Sequence, residues 1–164
     1  MIQKKICLLG GFGVGKTSLV SRYVHSIFSE KYLTTVGVKI DKKSVPVERE
    51  QVDLVIWDIY GEDEFQKVRL SYLRGASGYL LVVDGTRAST LDTAVALQAS
   101  AQDTIGSVPF IMLVNKADLS DEWQISGELL DQYSRRGWSI MKTSAKTGDY
   151  VEAAFASLAR AMLV

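Results

Sequence analysis

The chain has 164 residues, a formal net charge of zero and a hydrophobic content of 47%. This length predicts a single domain over residues 1–164, and the balance of 19 basic and 19 acidic residues argues against a nucleic-acid-binding surface. Its one cysteine excludes a disulfide within the chain and a multi-thiolate metal site, which fits a reducing cytoplasm.

The first predicted element is a buried strand over residues 6–9, followed by a glycine-rich loop over residues 10–17 with the pattern G-x-x-x-x-G-K-[ST]. Glycines let backbone N–H groups converge on phosphates, and the helix that follows adds the positive end of its dipole. Lys16 would contact the outer phosphates, and the Thr17 hydroxyl would ligate Mg²⁺. A glycine-rich turn with a chance lysine is the alternative, which the flanking strand and helix disfavour. The residues expected to bind a nucleotide here are Gly11, Phe12, Gly13, Val14, Gly15, Lys16, Thr17 and Ser18.

The next part of the chain contains one helix, two strands and two segments that fit no regular element. A helix follows Lys16, and residues 28–37 then resist assignment. A weaker strand over residues 38–47 precedes a buried strand over residues 52–57; Pro46 suits a sheet edge, and the polar residues 48–51 would fold one strand back, antiparallel, onto the other. Residues 59–75 again fit no element. The two unassigned loops are candidate moving parts, with ordinary surface loops as the alternative.

The rest of the chain alternates between apolar runs and helical patterns. Buried strands are predicted over residues 79–83, 110–114 and 138–141, and a helix over about residues 127–136. The last helix is expected to begin at Asp149, whose spacing to Glu152 is typical of a capping box. The complete pattern predicts an α/β fold with a six-stranded, mostly parallel sheet, one antiparallel edge strand and helices on both faces.

Two polar motifs follow predicted strands at their carboxyl ends, where open α/β sheets bind ligands. In the first, residues 115–118, the Asp118 carboxylate would accept hydrogen bonds from guanine N1–H and the 2-amino group, a pair of donors that adenine lacks. Alone, this motif is equally well explained as a turn capped by its Asn and Asp side chains. In the second, residues 143–146, the Ala145 N–H would donate to guanine O6 and Ser144 would hold Asp118.

A third motif follows the strand over residues 52–57. Asp58 offers a carboxylate to Mg²⁺ through water, and the Gly61 N–H would contact a γ-phosphate. Thr35, in the first unassigned loop, would supply a second hydroxyl to Mg²⁺.

In order and spacing, these motifs resemble the Ras-superfamily small GTPases over essentially the whole chain, and most closely the Rab branch. The resemblance implies the P-loop NTPase fold, and Phe28 falls where the family stacks an aromatic ring on the guanine edge. Lys116 and Lys146 fall within the base-recognition motifs, and Asp84 falls at the family's strand end. The family motifs correspond here to residues 10–17, 34–37, 57–61, 115–118 and 143–146.

The resemblance implies a guanine-nucleotide-binding switch that binds GTP or GDP with Mg²⁺, hydrolyses GTP, and changes its loops around residues 28–37 and 59–75 with the nucleotide. The implied metal ligands are Thr17, Thr35 and Asp58, and the implied catalytic residues are Lys16, Thr35, Gly61 and Glu62. Effectors and regulators would bind the switch regions, with a hydrophobic patch of Ile40, Trp57 and Tyr72; packing of a sheet edge explains that trio equally well. We expect no lipid anchor in this chain and a cytoplasmic location.

Three residues depart from the family pattern, and all cluster around the γ-phosphate. Glu62 stands where the family has a glutamine that orients the attacking water, and an ionised carboxylate can only accept hydrogen bonds. Phe12 is bulky where the family is small, and Tyr60 replaces a small residue before Gly61. These departures predict slow hydrolysis. The alternative is an interaction module that keeps GTP or GDP as a structural cofactor and does not hydrolyse it effectively; an ATPase or small-molecule kinase ranks last.

Overall fold

The computed structural model describes residues 2–25, 38–59 and 70–163. In these ranges six strands form one sheet in the order β2-β3-β1-β4-β5-β6. Strand β2 pairs antiparallel with β3, and the remaining neighbours pair in parallel. This confirms the predicted α/β fold with one antiparallel edge strand. The strands are β1 Ile2–Gly10, β2 Val38–Val47, β3 Glu50–Ile59, β4 Gly78–Asp84, β5 Phe110–Asn115 and β6 Ser139–Lys142.

Four α-helices in the described ranges cover the two faces of the sheet: α1 Lys16–His25, α2 Ser89–Ile105, α3 Gly127–Arg135 and α4 Val151–Met162. Alternate residues of β1 serve opposite faces, since successive side chains of a strand point in opposite directions. Ile6 and Leu8 pack with α1 and α4. Cys7 and Leu9 pack with α2 and α3 on the other side. All seven residues of β4 are buried, as expected for a central parallel strand.

Cys7 belongs to this second core. Burial raises the pKa of its thiol to about 12, which is typical of a small core hydrophobe and not of a reactive thiol.

The hairpin between β2 and β3 is tighter than the sequence predicted. Glu48 and Arg49 form a two-residue turn, with Glu48 at a φ of 55°. Glu50 and Gln51 already belong to β3, where Gln51 lies opposite Pro46. Pro46 tolerates this position because β2 is the edge of the sheet.

The predicted capping box at the last helix is wrong. The N-cap of α4 is Tyr150, in a left-handed conformation with φ 60° and ψ 7°, and no side chain caps the helix. Asp149 is displaced from that role because the chain turns back at Gly148: the Asp149 carbonyl accepts from Ser144 N at 3.1 Å, and Gly148 N donates to the Ser144 carbonyl at 2.8 Å. The preceding loop therefore determines where α4 begins.

Part of the loop predicted over residues 59–75 is regular. Ile59 completes β3, and a short 3-10 helix spans Leu70–Leu73. Leu73 is buried in the core with Cys7 and Leu9. Ile27, expected on the apolar face of the first helix, lies outside the described residues.

Candidate nucleotide-binding site

The glycine-rich loop joins β1 to α1 at the carboxyl end of the strand. Gly13 and Gly15 have φ of 73° and 103°, a backbone conformation that residues with a Cβ rarely adopt. A Cβ at Gly15 would also lie 2.3 Å from Nδ2 of Asn115. Glycine at position 15 therefore allows the loop to turn and to approach β5 closely.

Lys16 is the first residue of α1 and is only 7% exposed. Its ammonium group donates to the carbonyls of Gly10 at 3.2 Å and Gly11 at 3.4 Å. Burial lowers the pKa of Lys16 to about 8, although the nearby charge of Asp58 acts in the opposite direction. A buried ammonium held by two neutral carbonyls is undercompensated, so an anion at this loop would stabilise it.

Thr17 and Asp58 meet next to Lys16. The Thr17 hydroxyl donates to Oδ2 of Asp58, which is 1% exposed. Burial raises the pKa of Asp58, while the Thr17 hydrogen bond and the Lys16 charge oppose that rise. The described residues contain no group of three or more His, Cys, Asp and Glu side chains arranged to hold a metal.

A hydroxyl and a single carboxylate fit Mg²⁺, which takes few protein oxygens and completes its shell with water and phosphate. The third expected ligand, Thr35, lies outside the described residues.

Asn115, at the end of β5, connects three parts of the site. Its Nδ2 donates to the Val14 carbonyl at 3.0 Å. Its Oδ1 accepts from the Thr143 hydroxyl at 3.2 Å and from Ala145 N at 3.3 Å. The side chain is 2% exposed, so it joins the glycine-rich loop to residues 143–146 instead of presenting its amide to solvent.

Asp118 is held as the sequence predicted. The Ser144 hydroxyl donates to Oδ1 of Asp118 at 2.7 Å and accepts from Thr147 N at 3.1 Å. Asp118 is exposed, so its carboxylate is accessible to a ligand. The Ala145 N–H, expected to donate to guanine, donates to Asn115 in this structure. Lys146 is exposed beside it.

Asp118 lies in a 3-10 segment over Ala117–Glu122, which is kinked at Leu119 and ends before Trp123. Trp123 lies directly on Gly85, where an added Cβ would be 2.2 Å from the indole ring. Gln124 N donates to the Gly85 carbonyl at 2.8 Å. Sequence reasoning missed this packing, because Trp123 and Gly85 meet only through the parallel pairing of β4 with β5.

Comparison with known proteins identifies the family. A family model described as "Ras family" matches residues 5–164. The chain belongs to the Ras family. Ras-related protein Rab-13 of Bos taurus is 32% identical over 162 residues, covering 98% of this chain and 80% of that protein. Ras-related protein Rab-10 of Caenorhabditis elegans is 34% identical over 161 residues, covering 97% and 80%. This Ras-family chain is therefore Rab-like, and its membership supports a GTP-binding switch GTPase.

In this Ras-family chain Lys116 belongs to a charged cluster with Asp84 and Arg87. Sequence reasoning did not find this cluster. Lys116 adopts a left-handed conformation, and its ammonium donates to Oδ2 of Asp84 at 2.8 Å. Asp84 is 1% exposed and also accepts from Thr86 N, the Thr86 hydroxyl and Arg87. Burial opposes the charge of Asp84, but these hydrogen bonds outweigh it and lower its pKa. The available signal for this cluster was Asp84 itself, a carboxylate at the end of the buried strand β4, which lies beside β1 in the sheet.

The three residues of the expected hydrophobic patch come together at the sheet edge. Ile40 lies directly opposite Trp57 on the β2–β3 ladder and is 50% exposed. The ring of Trp57 lies 6.0 Å from that of Tyr72, centroid to centroid. Lys5 places its ammonium 3.6 Å from the centre of the Trp57 ring.

Several expected site residues fall in ranges that are not described: Phe28, Thr35, Tyr60, Gly61 and Glu62. Phe12 is described, and its side chain is 44% exposed on the glycine-rich loop. Among the described helices, none combines the length and the apolar character needed to cross a membrane.

Proposed function

We propose that residues 1–164 form one small-GTPase domain that binds GTP or GDP with Mg²⁺, hydrolyses GTP slowly and changes the loops around residues 28–37 and 59–75 with the bound nucleotide. The observation that carries this proposal is the hydrogen-bonding of Asn115, which joins the phosphate-type loop to the motif that would read the base. A ligand with a base at one end and phosphates at the other matches that arrangement.

At the base end, Asp118 accepts hydrogen bonds from guanine N1–H and the 2-amino group. Ser144 fixes one oxygen of Asp118 at 2.7 Å, so the carboxylate is oriented before the ligand arrives. The N–H of Ala145 contacts guanine O6 once its 3.3 Å contact with Asn115 yields. Phe28, Lys116 and Lys146 complete the binding surface around the base and ribose. Adenine leaves the Asp118 carboxylate unpaired, which favours guanine.

At the phosphate end, the N–H groups of the glycine-rich loop receive the phosphates and Lys16 exchanges its two carbonyl acceptors for phosphate oxygens. Thr17, Thr35 and Asp58 hold Mg²⁺, which neutralises phosphate charge when bound. Binding of the phosphates stabilises the charged form of Lys16, which burial disfavours in the free protein. Thr35 and Gly61 contact the γ-phosphate only when it is present, and its loss releases their loops.

Slow hydrolysis follows from the residues around the γ-phosphate. An ionised Glu62 meets like charge and lacks the donor that a glutamine gives to the attacking water. The exposed ring of Phe12 stands on the loop where it obstructs both the water and an arginine supplied by a partner. Lys16, Thr35, Gly61 and Glu62 remain the residues that act on the reacting group.

The patch of Ile40, Trp57 and Tyr72 is the proposed contact for effectors and regulators. Its support is the cross-strand pairing of Ile40 with Trp57 and the half-exposed side chain of Ile40. The buried, single cysteine is compatible with the reducing cytoplasm in which such a switch would act.

Single-turnover hydrolysis of preloaded GTP, started by Mg²⁺ without a partner, tests the proposal. We expect phosphate release slower than the roughly 10⁻⁴ s⁻¹ of Ras, lost in Lys16→Ala. Excess ATP should not displace the bound nucleotide. GTP that remains intact for many hours would instead support the interaction module.

The explanation for the slow rate has its own test. Glu62→Gln combined with Phe12→Gly should accelerate phosphate release from bound GTP by at least about tenfold. Glu64→Gln, which removes an equal charge two residues away, should leave that rate unchanged. A double variant with the wild-type rate would refute the roles given to Glu62 and Phe12.

A further inference from the structure

Arg87 connects two parts of the site that are far apart in sequence. It lies between β4 and α2, and its side chain is 44% exposed. Its Nε donates to Oδ2 of Asp84 at 3.0 Å. Its Nη2 donates to the carbonyl of Phe12 on the glycine-rich loop at 2.6 Å. One guanidinium therefore bonds both a buried carboxylate and the backbone of the phosphate-type loop.

The carboxylate that Arg87 holds also binds Lys116. Oδ2 of Asp84 accepts from Nζ of Lys116 at 2.8 Å, while Oδ1 accepts from Thr86. A continuous chain of hydrogen bonds thus runs from the base-recognition motif through Asp84 and Arg87 to Phe12. It is separate from the connection that Asn115 makes at Val14 and Ala145.

We propose that Arg87 is a positioning residue that fastens the glycine-rich loop at Phe12 to the base-recognition motif at Lys116 and thereby slows release of guanine nucleotide. The proposal rests on the nucleotide binding proposed above. The nucleotide can leave only when its contacts with the base-recognition motif and with the glycine-rich loop open. If opening also breaks the hydrogen bonds of Arg87 that join these two parts, the activation barrier for nucleotide release is higher. Arg87 acts through Asp84 and the Phe12 backbone and is assigned no contact with the nucleotide.

The geometry requires an arginine. A guanidinium presents several donors in a fixed plane, so it can bond a carboxylate from one nitrogen and a carbonyl from another. A lysine ammonium is a compact charge that would keep the ion pair with Asp84 but would not reach both acceptors in the same way. Since Arg87 is partly exposed, solvent screens its ion pair and the expected effect is moderate.

The release rate of N-methylanthraniloyl-GDP, measured by fluorescence after addition of excess GDP, tests this role. We expect Arg87→Ala to release the probe about five- to tenfold faster, and Arg87→Lys to restore only part of the difference. Arg136→Ala is the matched control, because Arg136 lies at the end of α3 and contacts Tyr133 instead of the site. The fold-change should persist when EDTA removes Mg²⁺, since none of the bonds of Arg87 involves a proposed metal ligand.

The outcomes separate this inference from the proposed function. A wild-type protein that does not bind the probe would refute nucleotide binding itself. Probe binding with unchanged release from Arg87→Ala would overturn the role of Arg87 alone. The role of Arg87 would also be overturned if Arg87→Lys released the probe at the wild-type rate, or if Arg136→Ala accelerated its release as much as Arg87→Ala does. Thermal denaturation of the nucleotide-free variants provides a second readout: a general structural defect would lower the midpoint of Arg87→Lys as much as that of Arg87→Ala, and we expect both to stay near the wild type.

Discussion

The packing of Trp123 on Gly85 gives a sharp prediction about stability. In Gly85→Ala the new Cβ would lie 2.2 Å from Cζ3 and Cη2 of the indole and 2.5 Å from Cε3. Carbon atoms pack at about 3.5–4.0 Å, so the ring would have to move by more than about 1 Å. Overpacking of this kind costs about 1–3 kcal/mol, and the lower entropy of an unfolded alanine offsets about 0.4–1 kcal/mol of it. The difference spans about 0–2.6 kcal/mol, and its midpoint gives an expected net loss of about 1.3 kcal/mol in the free energy of unfolding.

Urea denaturation followed by far-ultraviolet circular dichroism measures this loss without relying on the tryptophan that is changed. Trp123→Leu should remove the obstacle, so the double variant with Gly85→Ala should be more stable than the sum of the two single losses predicts, by about 1 kcal/mol or more. Gly127→Ala is the control, because a Cβ there meets no heavy atom within 4 Å. Additive losses in the double variant, or equal effects at Gly85 and Gly127, would refute the steric argument.

Three further outcomes follow from the described residues. Burial lowers the pKa of Lys16 from 10.5 to about 8; between these values Lys16 holds fewer protons in the nucleotide-free fold than in the unfolded chain, so its contribution to stability should rise with pH by up to about 3 kcal/mol. The raised pKa values of Cys7 and Tyr23 act in the opposite direction in both proteins, so urea denaturation at several pH values should show the rise as a gain in the stability of the wild type relative to Lys16→Met. Ser144→Ala removes the donor to Asp118 and should weaken binding of fluorescent GDP about three- to tenfold; an unchanged titration would contradict the orienting role. Phe155→Ala should cost about 3–5 kcal/mol, because its buried ring stacks on Tyr23 at 3.9 Å; a loss below 1 kcal/mol, on the order of a surface substitution, would contradict this.

The elements that could be predicted from sequence are those with local physical signals. The second half of β1 and the strands β4 and β5 are largely buried on both faces, so each of these segments reads as an apolar run. The glycine-rich loop is recognisable because positive φ at Gly13 and Gly15 requires glycine at fixed spacing.

The features that sequence did not predict depend on hydrogen bonds that the local residue pattern does not indicate, either between distant segments or within one loop. Arg87 and Phe12 are 75 positions apart and meet because β4 lies beside β1 in the sheet. The start of α4 is determined by the return of the chain at Gly148 onto Ser144, which overrides the local preference of Asp149 for a helix cap. The hydrogen bond from Ser144 to Asp118 was predicted because both motifs follow strands whose carboxyl ends lie at the same edge.

The position of Cys7 makes the chain convenient for site-specific chemistry. The sequence has one thiol, which is fully enclosed in the central strand and has a pKa of about 12, so it presents almost no thiolate to an electrophilic dye near neutral pH. A cysteine introduced at the exposed Ser71, next to Tyr72, would therefore take up a maleimide fluorophore selectively. A spectroscopic reporter of events at the Ile40, Trp57 and Tyr72 patch could be installed without first removing the native cysteine.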